Sequence, residues 1–371
     1  MIRRMVPEFI LRKDRAGDYA GKFKAWVMHV DLRDFSLLSS SLMKEGSRKV
    51  EQLSDIINSV FSPALETILK HGGFVSRFAG DAFIAIFPIS DDDTALNCIS
   101  AACRIRDLLK FGPLAILSSR IGISRGNVSW QILPNPHRHL YWFSGAAIHN
   151  AIVLQESAES NQILVATRNL TKSERERLVL SEQAPGVSNI REILEPVPPG
   201  RLPKCRLSQK EFVAQELIHG VEGEFREVVS VFINLKKQNA EELSGLIGLT
   251  RKYGAYLNKV FNSSHGLMVL VLFGAPKGYE DIVQRSFRFV NEIKTRYGKQ
   301  IRIGMSMGLT YAGFVGSPLG CEYTAMGLSV NLAARLVMLG DWGEVCFEES
   351  LISVQSVNLV YSEKGLQTIK G

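Results

Sequence analysis

The sequence predicts an α+β protein made of two tandem copies of one β-α-β-β-α-β unit, and three observations carry that prediction. A proline-rich segment divides the chain, similar motifs recur on both sides of it in the same order, and each side shows the same succession of strand-like and helix-like runs. At 371 residues the chain suits two domains of roughly 150 residues each better than a single core.

The dividing segment is EPVPPGRLPK, residues 195–204, with four prolines in ten residues, which resist both helix and sheet. The expected organisation is a first domain over residues 1–200 that includes an N-terminal extension, a linker over 201–220 and a second domain over 221–371. Across the linker, SRIGISRGNVS (119–129) resembles IRIGMSMGLTY (301–311), and YWFSGAAIHNAIVL (141–154) resembles YTAMGLSVNLAARL (323–336), both at an offset of 182. AWVMHVDLRDF echoes VVSVFINLKKQ, which places Asp31 opposite Asn234. Several matches in one order point to a duplication.

Within the first copy, KAWVMHVDL reads as a strand because it is apolar and rich in β-branched and aromatic residues. The segment SRKVEQLSDIINSVFSPALETILKHGG follows with apolar residues at Val50, Leu53, Ile57, Val60 and Phe61, close to helical spacing. Pro63 is expected to kink or split that helix, and Gly72-Gly73 suits its C-cap. RFAGDAFIAIF, residues 77–87, then reads as a hairpin whose tip is Gly80-Asp81. A second helix around ALNCISAACRIRDLLK and further strands complete the order. This is the ferredoxin-like, split βαβ pattern, an antiparallel sheet with helices on one face. Two such domains in one chain are expected to pair about a pseudo-twofold axis, with sites in the groove between them.

Asp31 ends the first strand and Asp81 tips the hairpin, and in this topology those two strands are neighbours. Two ionised carboxylates brought together repel unless a cation lies between them, and hard oxygen ligands favour Mg²⁺ or Mn²⁺. Read singly, each is equally a turn aspartate capping nearby N–H groups. The second copy carries Asn234 and no acid in SSHGLMVL, so the pair occurs once.

The net charge of +7 comes from dispersed Lys and Arg with no polybasic tract, which gives no footprint for nucleic acid. Five cysteines, an odd count without a CxxC, support neither a disulfide framework nor a zinc site. No run of about 18 apolar residues occurs and the N-terminus lacks a signal-peptide pattern, so a soluble cytoplasmic protein without membrane partners is expected.

HVDLRDFS, FAGDAF and EYTAMGLSVNLAAR together resemble the class III nucleotidyl cyclases, most of all the tandem-domain, bicarbonate-responsive soluble adenylyl cyclases, from Lys24 to the end of the chain. The resemblance implies two cyclase domains packed as a pseudo-twofold heterodimer within one chain, expected to be a monomer. It further implies conversion of ATP to 3′,5′-cyclic AMP and pyrophosphate, with one active site and one degenerate groove. By match, Asp31 and Asp81 would hold two Mg²⁺ or Mn²⁺ ions, and Lys259 and Thr324 would read adenine. Asn331 would orient the ribose, Arg335 would meet the phosphate in the transition state and Arg120 would contact the terminal phosphates. Asn331 and Arg335 stand at i and i+4, one face of a helix beginning after Gly327. At the offset of 182 they face His149 and Val153, and Thr324 faces Trp142, so the second groove lacks this chemistry and is a place for a small-molecule or anion regulator near Arg77. Ile152 stands where the bicarbonate-responsive relatives carry a second Arg, and Asp34 replaces the glycine of the phosphate turn. Both departures favour an alternative, a silent or weak pseudo-cyclase that senses nucleotide or an anion. A diguanylate cyclase is disfavoured because Ala82 stands where its signature needs Glu.

Overall fold

A computed structural model describes residues 3–33, 50–90, 94–111, 117–218, 221–236, 240–263, 265–354 and 360–365. Asp34 lies outside the described residues. By packing, the chain forms two compact units, one of Met1–Gly223 with Gly313–Thr324 and one of Glu224–Ala312 with Ala325–Gly371.

The first unit opens with helix α1 (Glu8–Arg15), strand β1 (Ala20–Arg33), helix α2 (Val50–Lys70), and the hairpin β2 (Phe74–Ala79) and β3 (Ala82–Pro88). Helix α3 (Thr94–Phe111), β4 (Ser118–Leu133), β5 (Leu140–Ser144), helix α4 (Ala146–Glu156), β6 (Ile163–Ala166), the short helix α5 (Lys172–Glu176), β7 (Leu178–Ala184) and β8 (Val187–Ile193) follow. The sheet order is β2-β3-β1-β4-β6-β8-β7, with β5 also paired to β4. Its first four strands have the split βαβ order, β1 lying antiparallel to both β3 and β4. The two-residue hairpin turn holds Gly80 at φ +64°, a conformation that only glycine adopts freely.

Helices cover both faces of this sheet, which corrects the expectation of one. Ala25, Val27, Ile84 and Ile86 share a core cluster with Ile10 of α1 and with Ala147, Ile148 and Ala151 of α4. On the opposite face the Phe83 ring packs 5.9 Å from Phe61 of α2. Residues 25–30 of β1 are therefore buried without alternation, as strands covered on both sides are.

Helix α2 runs unbroken through Pro63, so the expected split does not occur. Proline removes one N–H bond, and burial of Phe61, Ala64, Leu65 and Ile68 offsets that loss. The helix ends as expected at Gly72, φ +81°, with Gly73 N–H on Ile68 O and Gly72 N–H on Leu69 O, the Schellman pattern.

The N-terminal segment is part of the core. Phe9 of α1 packs against Phe23, Phe74, Trp130 and Phe143, with ring centroids 5.0 to 6.0 Å apart. The proline-rich segment lies along the first unit, with Val197 N–H on Ser100 Oγ at 2.9 Å and Gly200 N–H on Lys70 O at 2.8 Å. Phe212, Ala214 and Leu217 beyond it are buried.

The second unit repeats the plan with β9 (Glu224–Leu235), α6 (Ala240–Lys252), the hairpin β10 (Tyr256–Ser263) and β11 (Gly266–Phe273), α7 (Ile282–Tyr297), β12 (Ile301–Ser317), β13 (Gly320–Met326), α8 (Leu328–Leu339), β14 (Val345–Phe347) and α9 (Ser350–Val354). Its sheet order is β10-β11-β9-β12-β13, with β14 on β12. Residues 313–324, the outer parts of β12 and β13, cluster with the first unit. Among the described residues no helix is long and apolar enough to cross a membrane.

One contact recurs in both units. A Cβ on Gly122 would stand 2.1 Å from Ala151 O and 2.4 Å from Gln155 N of α4. A Cβ on Gly304 would stand 2.3 Å from Ala333 O and 2.2 Å from Val337 N of α8, the same three positions at the same offset. In each unit a helix rests directly on strand backbone. Gly122→Ala and Gly304→Ala must push that helix away, so each should cost about 2 kcal/mol or more by denaturant unfolding, while Gly248→Ala, where a Cβ meets nothing within 4 Å, should cost nothing.

Candidate functional site

Within the first unit, Asp31 pairs in register with Ala82 on one side and with Arg120 on the other. Leu32 N–H donates to Asp81 O at 3.3 Å, so the two acidic residues sit side by side where β1 meets the hairpin turn. Arg120 donates from Nε to Asp31 Oδ2 at 3.0 Å, and its terminal Nη2 donates to the same oxygen. Both side chains are half-buried, the carboxylate at 18% exposure and the guanidinium at 31%. Arg120, expected to meet terminal phosphates, thus neutralises an expected metal ligand.

The second unit shows what the same frame does without the acid. Arg302 pairs in register with Asn234 and donates from Nε to its Oδ1 at 2.9 Å. The Asn234 amide in turn donates to His265 O at 3.1 Å and Leu267 O at 3.2 Å, tying the first strand to the hairpin. A carboxylate donates no hydrogen bond, so Asp31 cannot make that tie. Arg302 is further held over the Trp342 ring at 5.0 Å and by Gly340 O at 3.4 Å, whereas Arg120 turns both Nε and Nη2 to Asp31.

A divalent cation fits this donor set. No group of three or more His, Cys, Asp or Glu able to hold a metal occurs among the described residues, and Mg²⁺ is commonly held by only two carboxylates with substrate phosphate oxygens and water completing its shell. A cation on Asp31 competes with Arg120 for the carboxylate.

Thr324 lies in β13 at 1% exposure and is counted with the first unit. In the second unit, Lys259 is half-buried on β10 beside a register shift between Leu257 and Lys259. Asn331 and Arg335 stand one turn apart on α8, both half-buried. Val330, Ala333, Leu336 and Val337 form the buried stripe of that helix, which turns Asn331 and Arg335 to the opposite side. Their counterparts His149 and Val153 on α4 are exposed.

Two residues escaped the sequence reading. His29, two positions before Asp31 and on its side of β1, is 8% exposed. Burial first, then Arg77, pushes its pKa down to about 3, while a hydrogen bond with Gln155 acts the other way. A lone histidine in an apolar strand was the available signal. Glu322, within the EYT motif, accepts from Phe78 N–H at 3.1 Å. It also faces Arg77, whose pKa burial pushes down to about 10 against the pull of that carboxylate. A cavity of about 180 Å³ is lined by Arg77, Glu322, Arg4, Phe74 and Leu319 among others.

The architecture is that of the class III nucleotidyl cyclases. A solved class III adenylyl cyclase-like ATP-binding protein from Pseudomonas aeruginosa matches it with a TM-score of 0.61 over 95% of this chain and 94% of that one, at 11% identity. In sequence the chain is similar to adenylate cyclase type 10 of Rattus norvegicus, 24% identical over 85% of this chain and 24% of that protein. It is similar to adenylate cyclase type 10 of Homo sapiens at 22% identity over the same shares. The resemblance read from the motifs is thereby borne out. The chain spans 24% of the length of these curated relatives. No family model matches the chain.

His29 yields a pH prediction. Folded, it stays neutral, whereas in the unfolded chain it takes up a proton below about pH 6.5. Its contribution is complete above that pH and is lost as pH falls toward 3, at ~1.4 kcal/mol per pH unit. His29→Phe, the residue found at the matching Phe232, should flatten the fall in Tm between pH 7 and pH 4.5. Equal falls in both proteins would exclude His29 as the source.

Proposed function

We infer that the chain is an adenylyl cyclase unit that turns ATP into 3′,5′-cyclic AMP and pyrophosphate. The observation that carries this is the placement of Asp31 and Asp81 side by side at one strand end, in a fold and sequence that resemble class III cyclases. The reading needs those two acids from the first unit, and Lys259, Asn331 and Arg335 from the second, to act on one nucleotide.

In this reading Asp31 and Asp81 hold Mg²⁺ or Mn²⁺, two ions when fully loaded. Bound there, the cations supply Lewis-acid polarisation of the α-phosphoryl oxygens and lower the pKa of the ribose 3′-hydroxyl for in-line attack. Lys259 donates to a ring nitrogen of adenine and Thr324 accepts from the exocyclic amine. Asn331 orients the ribose, and Arg335 meets the negative charge that grows on the transferring phosphoryl group. Arg120, once released from Asp31, reaches the terminal phosphates. Positioning and fixed charge carry the rate, so no protein base is required.

The matching groove of the first unit keeps no such chemistry at Trp142, His149 and Val153, and the cavity beside Arg77 is the place for a regulator. The Glu322 carboxylate already compensates that cation, which favours a ligand other than a simple anion.

Purified protein incubated with ATP and Mn²⁺ should form cyclic AMP. Asp81→Asn should abolish turnover, and Arg335→Ala should lower kcat about 10²- to 10³-fold with a smaller change in KM. Nucleotide binding without product would select the second reading, a silent sensor, which the Arg120–Asp31 ion pair favours because it occupies a metal-binding carboxylate. Arg335→Ala at the wild-type rate would remove Arg335 from the mechanism.

A further inference from the structure

The strand that bears Thr324 is tied to the hairpin that bears Asp81, and one side chain makes the tie. β2 is the edge strand of the first sheet, so its outward N–H groups lack a strand partner. Phe78 N–H, three residues before Asp81, donates to Glu322 Oε2 at 3.1 Å, and the same carboxylate is the counter-charge of the neighbouring Arg77. A bond from an N–H to an ionised acceptor is roughly twice as strong as a neutral one. Glu322 and Thr324 stand two residues apart on β13, hence on one side of the strand.

The chain around Glu322 is fastened at further points. Arg4 N–H donates to Pro318 O at 3.2 Å and Cys321 N–H donates to Arg4 O at 2.7 Å, so the N-terminal segment brackets the turn between β12 and β13. A Cβ at Gly316, φ +114°, would stand 3.1 Å from Phe78 Cζ, and one at Gly320 would stand 2.7 Å from Leu65 Cδ2. These contacts fix depth, and Glu322 alone among them joins β13 to β2 by a charged group.

We propose that Glu322 is a positioning residue, which sets the height of Thr324 against the purine edge through its bond to Phe78 N–H. The proposal rests on the reading of Thr324 as an adenine contact. It assigns to the Glu of the EYT motif a part in base selectivity, distinct from any contact with nucleotide.

The experiment compares Glu322→Ala, Thr324→Ala and their combination in the full chain, by kcat/KM for ATP and GTP and by amide hydrogen exchange without nucleotide. In Glu322→Ala the Phe78 amide should exchange at least about tenfold faster, and the preference for ATP over GTP should fall about tenfold through KM. The combined variant should lose no more selectivity than Thr324→Ala, because the two act in series. Glu322→Ala leaves Arg77 without its counter-charge and is liable to unfold, so Arg77→Met with Glu322→Ala is the second variant. It should recover Tm without recovering selectivity, a split that a purely structural role would not give. Unchanged exchange at Phe78, additive losses, or selectivity that returns together with Tm would each overturn the proposal. Thr324→Ala without effect on selectivity would overturn the adenine contact itself and this proposal with it.

Discussion

Each unit is organised around a place where a helix touches strand backbone with no side chain between. Gly122 and Gly304 allow a carbonyl of the crossing helix within 2.1 and 2.3 Å of where a Cβ would lie, closer than any other residue would permit. That contact fixes the rotation of the helix as well as its distance. On α8 it commits the Ala333 and Val337 side to the sheet and so leaves Asn331 and Arg335 facing away together. The pairing of the two polar residues is thus a consequence of a glycine two elements back in the fold.

On this shared frame the two copies diverge by charge. An arginine near the start of the fourth strand reaches a residue near the end of the first strand in both, as Arg120 to Asp31 and as Arg302 to Asn234. In the second unit the amide closes the arrangement by donating to the hairpin carbonyls. In the first unit the carboxylate cannot donate, and its charge is met by the arginine. One oxygen-for-nitrogen difference therefore separates a self-contained brace from an ion pair.

Much of this was legible in the sequence, where the pattern is local. The hairpin at Gly80-Asp81, the glycine cap of α2 and the repeat at an offset of 182 each depend on a few neighbouring residues. Less local features were not. Helix α2 survives Pro63 because burial of its flanks outweighs one lost bond, which a propensity argument cannot weigh. Phe9 joins the core through four rings distant in sequence. The second helical layer on β1 has its sign in AWVMHV, where apolar residues stand at odd and even positions alike, which an alternating, half-exposed strand would not show. Among the candidate site residues, the neighbourhood of Asp31 and Asp81 follows from topology, and the capture of Asp31 by Arg120 follows from register, which motifs do not reveal.

The clustering of Gly313–Thr324 with the first unit bears on how the gene product can be divided. Cleavage at the proline-rich segment severs the chain between the repeats yet leaves part of the first unit on the C-terminal fragment. The N-terminal fragment then lacks residues of its own packing unit, whereas the C-terminal fragment keeps all of the second unit and carries a piece of the first, so the two halves are unequal in autonomy.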